Sequence, residues 1–134
     1  MKEGDNDPAD GVQRTFDTLY ATNHKFYGFA DLFLNIPLHT GGAGLQDVAV
    51  KFNWTPADGV RFGADFHSFS AAEQGSLTTS HFANELDLTL SHRYSPNLGV
   101  TAGVSFVMQD DGLEEVGRLA EDMQWFYVMF DAIF

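Results

Sequence analysis

Five successive stretches of this chain alternate apolar and polar side chains with a period of two residues, a pattern that extended backbone satisfies and a helix does not. In the first, Val48, Val50, Phe52 and Trp54 share one parity against Asp47, Ala49, Lys51 and Asn53. Val60, Phe62, Ala64 and Phe66 then oppose Arg61, Gly63, Asp65 and His67. The third sets Leu86, Leu88, Leu90 and Tyr94 against Glu85, Asp87, Thr89, Ser91 and Arg93, and the fourth sets Leu98, Val100, Ala102, Val104 and Phe106 against Gly99, Thr101, Gly103 and Ser105. The last, from Gln124 to Phe134, carries Phe126, Val128, Phe130, Ala132 and Phe134 on one parity and the less polar set Trp125, Tyr127 and Met129 on the other. Each stretch is about nine to eleven residues long, the length of a tilted strand that crosses a bilayer, whereas strands of soluble proteins cluster near about five or six.

The connections alternate in size. Thr55 to Gly59 and Ser95 to Asn97 are tight and carry Pro with Asp, Asn or Gly, whereas Ser70 to His81 and Gln109 to Met123 are long and polar. Short and long connections therefore fall at opposite ends of one sheet. The predicted fold is all-β: an antiparallel up-and-down meander of about five to six strands. Residues 1–45 precede it as a loop. Its start is polar, with Asp5, Asp7, Asp10 and Gly11, and its aromatic segment at 25–36, KFYGFADLFLNI, is apolar on both parities, which suits either a strand or a packed loop. The Gly-rich residues 40–44 end that segment, and the strands occupy 46–134.

Short turns on one side and long loops on the other is the signature of a bacterial outer-membrane barrel, with short periplasmic turns and longer extracellular loops. Placing Phe134 in the periplasm puts both long loops and residues 1–45 outside. No apolar run is long enough for a transmembrane helix, and the start MKEGDNDPAD offers no apolar stretch for a signal peptide. Five strands are too few to close such a barrel, which needs about eight, so the chain reads as the C-terminal part of a transmembrane β-barrel and as a fragment. The net charge of −12, with only seven scattered Lys and Arg, excludes nucleic acid as a partner. The absence of Cys removes disulfides and thiolate chemistry.

Four segments resemble the C-terminal part of the barrel in the alginate-export family of outer-membrane porins. They are TFDTLYATNHKFYGFADLF from Thr15, GLQDVAVKF from Gly44, NELDLTLSHRYSPNLGVTAGVSF from Asn84 and DMQWFYVMFDAIF from Asp122. The resemblance implies a barrel of many more strands, to which this chain contributes the last hairpins. It further implies passive passage or export of a hydrophilic solute, in the best-known members an anionic polysaccharide such as alginate, through a lumen rich in basic groups. This sequence departs from that pattern by placing Asp47, Asp65, Glu85 and Asp87 on the same parity as Lys51, Arg61, His67 and Arg93.

The expected pore-lining residues are Lys51, Arg61, Asp65, His67, Glu85, Asp87 and Arg93, which either set ion preference in an aqueous lumen or pair across strands as a ladder. Trp54, Tyr94, Trp125, Phe126 and Phe134 lie near strand ends, where aromatic girdles meet the bilayer interface. A C-terminal Phe behind alternating apolar residues, here Phe126, Val128, Phe130 and Phe134, resembles the signal read by the outer-membrane barrel-assembly machinery. The partners expected are thus outer-membrane lipid, that machinery and a hydrophilic solute or polysaccharide.

No cofactor or metal is expected. The acidic loop lacks an EF-hand ligand at Ala9 and a closing Glu at Phe16, and the five His have no metal-ligand spacing. His24 and His39 flank the aromatic segment, where their polar tips suit a membrane interface. Ser80 with His81 and Ser91 with His92 are strand neighbours whose side chains diverge, so no catalytic residue and no enzymatic activity is expected. The alternative is a soluble lipocalin-like ligand-binding barrel, in which the apolar parity lines a cavity and the polar parity meets water. Period two alone does not distinguish inside from outside.

Overall fold

In the computed structural model, which describes residues 4, 5, 7, 9–12, 14–18, 23, 24 and 26–134, the alternating stretches form five strands. These are β1 (Leu45–Ala57), β2 (Val60–Ala71), β3 (His81–Ser95), β4 (Leu98–Gln109) and β5 (Met123–Ala132), in one sheet of order β1-β2-β3-β4-β5. Every neighbouring pair is antiparallel, so the fold is an all-β up-and-down meander. The sheet is not closed: β1 and β5 are each paired on one side only.

Strands run to 15 residues because backbone pairing continues beyond the alternation, with Leu45 opposite Ala71 and Ala83 opposite Gln109 at the long-loop end. The tight turns are shorter than the sequence indicated, since β1 reaches Ala57 and leaves Asp58 and Gly59 as the link to β2. Gly59 has φ +72°, and a Cβ there would stand 2.8 Å from the Arg93 carbonyl oxygen, so this corner requires glycine. Register shifts beside both tight turns, between Trp54 and Ala57 and between Arg93 and Ser95, take up the local twist.

The aromatic segment is a packed loop, not a strand. It ends in a helical turn, α1 (Ile36–His39), with Pro37 in its first turn and the Asn35 carboxamide oxygen accepting the Leu38 N–H at 3.0 Å. A second turn, α2 (Asp111–Glu115), opens the connection from β4 to β5. Both pack at the long-loop end of the sheet, where Leu32, Phe33, Ala43, Phe69, Phe82, Val107 and Leu113 make one buried cluster. The Phe33 ring lies 4.9 Å from Phe69 and 5.7 Å from Phe82. The segment is apolar on both parities because its irregular path turns Leu32 and Phe33 inward and leaves Phe26 and Leu34 open to the surroundings.

The two faces of the sheet are covered in the inverse of the soluble order. Even-numbered apolar positions are open, among them Val50 at 67% exposure, Phe52 at 57% and Phe130 at 75%. On the odd-numbered face His67, Glu85, Asp87 and Ser105 of β2, β3 and β4 are buried, whereas Lys51, Asn53, Arg61, Arg93 and Asp131 are exposed. In a denaturant titration Phe33→Ala should cost about 3–5 kcal/mol, the range for emptying a filled aromatic site. Leu38→Ala, at an open position of α1, should stay within about 0.5 kcal/mol.

Candidate functional site

All seven sequence-predicted pore-lining residues share the odd-numbered face, with His67, Glu85 and Asp87 buried, Asp65 half-buried and Lys51, Arg61 and Arg93 exposed, and the register sorts them into levels. Lys51, Asp65, Asp87, Ser105 and Trp125 follow one another across the five strands. His67 and Glu85 pair one level nearer the long loops, and Arg61, Ser91, Thr101 and Met129 align nearer the tight turns.

Four acidic groups of this face, Asp47, Asp65, Glu85 and Asp87, each have a partner on at least one carboxyl oxygen, while Asp47 Oδ1 and Glu85 Oε2 are buried without one among the described residues. Lys51 Nζ donates to Asp65 Oδ2 at 2.9 Å and also reaches His67 Nε2 at 3.1 Å. An ammonium has only donors, so Nε2 accepts and the His67 proton sits on Nδ1, which donates to Asp47 Oδ2 at 2.8 Å. The ring is held further by stacking on Phe69, with centroids 5.4 Å apart and planes 16° apart. Glu85 Oε1 accepts the Ala30 N–H at 2.8 Å, and Asp87 Oδ2 accepts the Phe29 N–H at 3.2 Å while Oδ1 takes the Ser105 hydroxyl. Cross-strand pairing thus accounts for Lys51 and Asp65, whereas Glu85 and Asp87 bind the loop laid over them.

The basic groups near the tight turns are different. Arg61 and Arg93 are exposed, and among the described residues neither has a carboxylate within ion-pair distance. They flank an open cavity of about 680 Å³ with Ser91, Thr101, Met129 and Asp131, and the Ser91 and Thr101 hydroxyls are bonded to each other at 2.8 Å.

The aromatic candidates divide. Trp54, Tyr94 and Phe126 project from the open apolar face, at 58%, 68% and 67% exposure, and Phe134 is open beyond β5. Trp125, 49% exposed, lies opposite Ser105 on the odd-numbered face, so it does not share a face with that band. Phe126, Val128 and Phe130 line the open face of edge strand β5.

Other candidates are used locally. His24 Nδ1 lies 2.8 Å from Asp31 Oδ1, and His39 Nδ1 accepts the Asn35 N–H at 3.3 Å. Burial, and then the Arg118 charge, hold His39 below the ordinary imidazole value. Asp5, Asp7 and Asp10 each accept a backbone N–H two residues on, and Arg14 pairs with Asp10 at 2.6 Å. Among the described residues no group of three His, Asp or Glu is placed to hold a metal. Residues 19–22 and 25 of the family-like segment from Thr15 lie outside the described set.

A serine the sequence did not nominate approaches a histidine across the β2–β3 pair. Ser68 Oγ is 3.4 Å from His81 Nε2, and Asp110 Oδ2 is 3.2 Å from His81 Nδ1. That is the order of a hydrolase relay, but Nδ1 makes no hydrogen bond, so the ring is not oriented as a base.

No protein-family model, curated protein or solved structure matches this chain.

The two long loops are tied where Thr78 donates its hydroxyl and, at 2.9 Å, its N–H to Glu115. These bonds, the hydroxyl first, hold the Glu115 carboxyl below the ordinary carboxylate range. A depressed folded value contributes stability that is present above the unfolded value and lost as the pH falls through the folded one. Proteolytic cleavage within residues 72–80 should therefore stay slow from neutral pH down to the carboxylate range and accelerate only below it, and Thr78→Ala should accelerate it at neutral pH.

Proposed function

We propose that this chain is wall from the C-terminal part of an outer-membrane β-barrel channel, through which a hydrophilic solute passes passively. The observation that carries this reading is the inversion of the faces: apolar side chains from every strand are left open while His67, Glu85, Asp87 and Ser105 are covered. A sheet in water loses free energy by that arrangement, at about 25 cal/mol per Å² of apolar surface left exposed, whereas a sheet in lipid does not. A lipocalin-like barrel needs the opposite, with the apolar face turned to the covered side. The single free edges of β1 and β5 fit the same reading, since closing the wall in hydrocarbon requires further strands.

The solute class put forward is anionic, an acidic polysaccharide such as alginate being the candidate that the family resemblance adds. Support comes from the separation of charge along the wall: Asp47, Asp65, Glu85 and Asp87 are engaged, whereas among the described residues Arg61 and Arg93, the latter donating to the Pro96 carbonyl oxygen, stand without a carboxylate partner beside a cavity whose one acidic lining residue is Asp131. Fixed charge facing an aqueous lumen sets ion preference. Assembly in this reading depends on the outer-membrane machinery recognising Phe126, Val128, Phe130 and Phe134.

The test is reversal potential across a planar bilayer bearing the reconstituted full-length protein under a salt gradient. Arg61→Glu and Arg93→Glu should each move it towards cation selectivity, while Arg14→Glu in the acidic loop should leave it in place. Equal shifts from all three would contradict the assignment of the lumen face.

A further inference from the structure

We infer that residues 26–44 form a fixed constriction of the channel, held against the wall by Glu85 and Asp87. The inference rests on the channel reading above and adds to it the element that would set the width of the pore. Three independent contacts hold the segment to the covered face. Its backbone N–H groups at Phe29 and Ala30 are bound by the two buried carboxylates. The Phe29 ring stacks on Tyr127 of β5, with centroids 5.7 Å apart, so the segment touches the wall on β3 and β5 alike. Phe33 is locked into the aromatic cluster at the long-loop end, and Arg118 donates to the Leu32 carbonyl oxygen at 3.1 Å.

The chemistry of the anchors supports a lasting attachment. A carboxyl group taken out of water is costly unless partners replace the lost hydration, and here the loop supplies one N–H to Glu85 Oε1 and one to Asp87 Oδ2, while Glu85 Oε2 has no partner among the described residues. Lifting the loop would strip Glu85 of the Ala30 N–H and leave Asp87 with the Ser105 hydroxyl alone, so the seated state is favoured. The loop is shaped to reach them: Gly28 has φ +83°, and a Cβ at that position would stand 2.5 Å from both Glu85 carboxylate oxygens. Asp31, the one non-glycine residue with positive φ among those described, is held by its contact with His24. Asn23 closes the base of the loop by donating to the carbonyl oxygens of Phe33 and Leu34 at 2.8 and 3.0 Å.

With this path, the exposed Leu34 and Phe26 side chains mark the surface that the segment offers to the solute. Glu85 and Asp87 are positioning residues in this account: they act on the solute only through the loop that they hold.

The test uses single-channel conductance of the full-length protein in planar bilayers, compared with Gly28→Val and Glu85→Ala. Releasing the segment should raise conductance by roughly two-fold or more and admit larger neutral polymers to the pore. Because Glu85→Ala can fail to assemble, a second measurement leaves the anchors intact. The chain has no cysteine, so Leu34→Cys supplies a unique thiol. Modifying it with a bulky methanethiosulfonate reagent should lower conductance at once. Channels whose conductance is unchanged both by Gly28→Val and by thiol modification at position 34 would overturn the constriction while leaving the channel reading standing. Absence of any channel from the unsubstituted full-length protein would overturn the channel reading itself.

Discussion

Glu85 and Asp87 stand two residues apart on β3 with almost no access to solvent, and carboxylates placed there must recover from the protein the donors they lose from water. Much of the architecture follows from that requirement. The donors come from Phe29 and Ala30, so residues 26–33 have to run along the face that carries the charges. Gly28 has to lack a side chain, and the rings of Phe29 and Phe33 are delivered to Tyr127 and to the Phe69 and Phe82 cluster. Ser105 completes the set by bonding the other oxygen of Asp87.

The opposite face is the complement of this one. Since strand side chains alternate, a sheet that commits its odd positions to a covered polar layer leaves its even positions, from Val48 to Phe130, to meet whatever lies outside. Lipid is the solvent in which that surface costs least. On the proposed channel reading the same choice constrains the edges: β1 and β5 expose unpaired backbone groups, which hydrocarbon does not satisfy, so closure of the sheet and lipid contact of its apolar face go together.

The strands were legible in the sequence because period two is a local signal, and it located the hairpins and the shared parity of Lys51, Asp65, His67, Glu85 and Asp87. Their lengths were underestimated, since backbone pairing does not need alternation and continues through Leu45, Ala71 and Gln109 into loop composition. The aromatic segment was ambiguous for a physical reason: a loop wrapped between a sheet face and its own core is apolar on both parities, as a buried strand also is. Lys51 with Asp65 follows from register. Glu85 with Ala30 does not, because it joins residues 55 apart through an irregular loop that no periodicity describes. For the same reason the approach of Ser68 to His81 was hidden behind the adjacent Ser80, which proximity in sequence brings to mind first.

The face assignment is the central claim, and the two tryptophans test it directly because they leave the sheet on opposite sides: Trp54, 58% exposed, with the even-numbered apolar residues, and Trp125, 49% exposed, opposite Ser105 on the odd-numbered side. In single-tryptophan variants, Trp125→Phe and Trp54→Phe, reconstituted into vesicles whose acyl chains carry bromine, fluorescence quenching reports contact with lipid. The account predicts strong quenching of Trp54 and weak quenching of Trp125. Equal quenching of both, or quenching of Trp125 alone, would mean that the apolar face is not the one that meets the membrane.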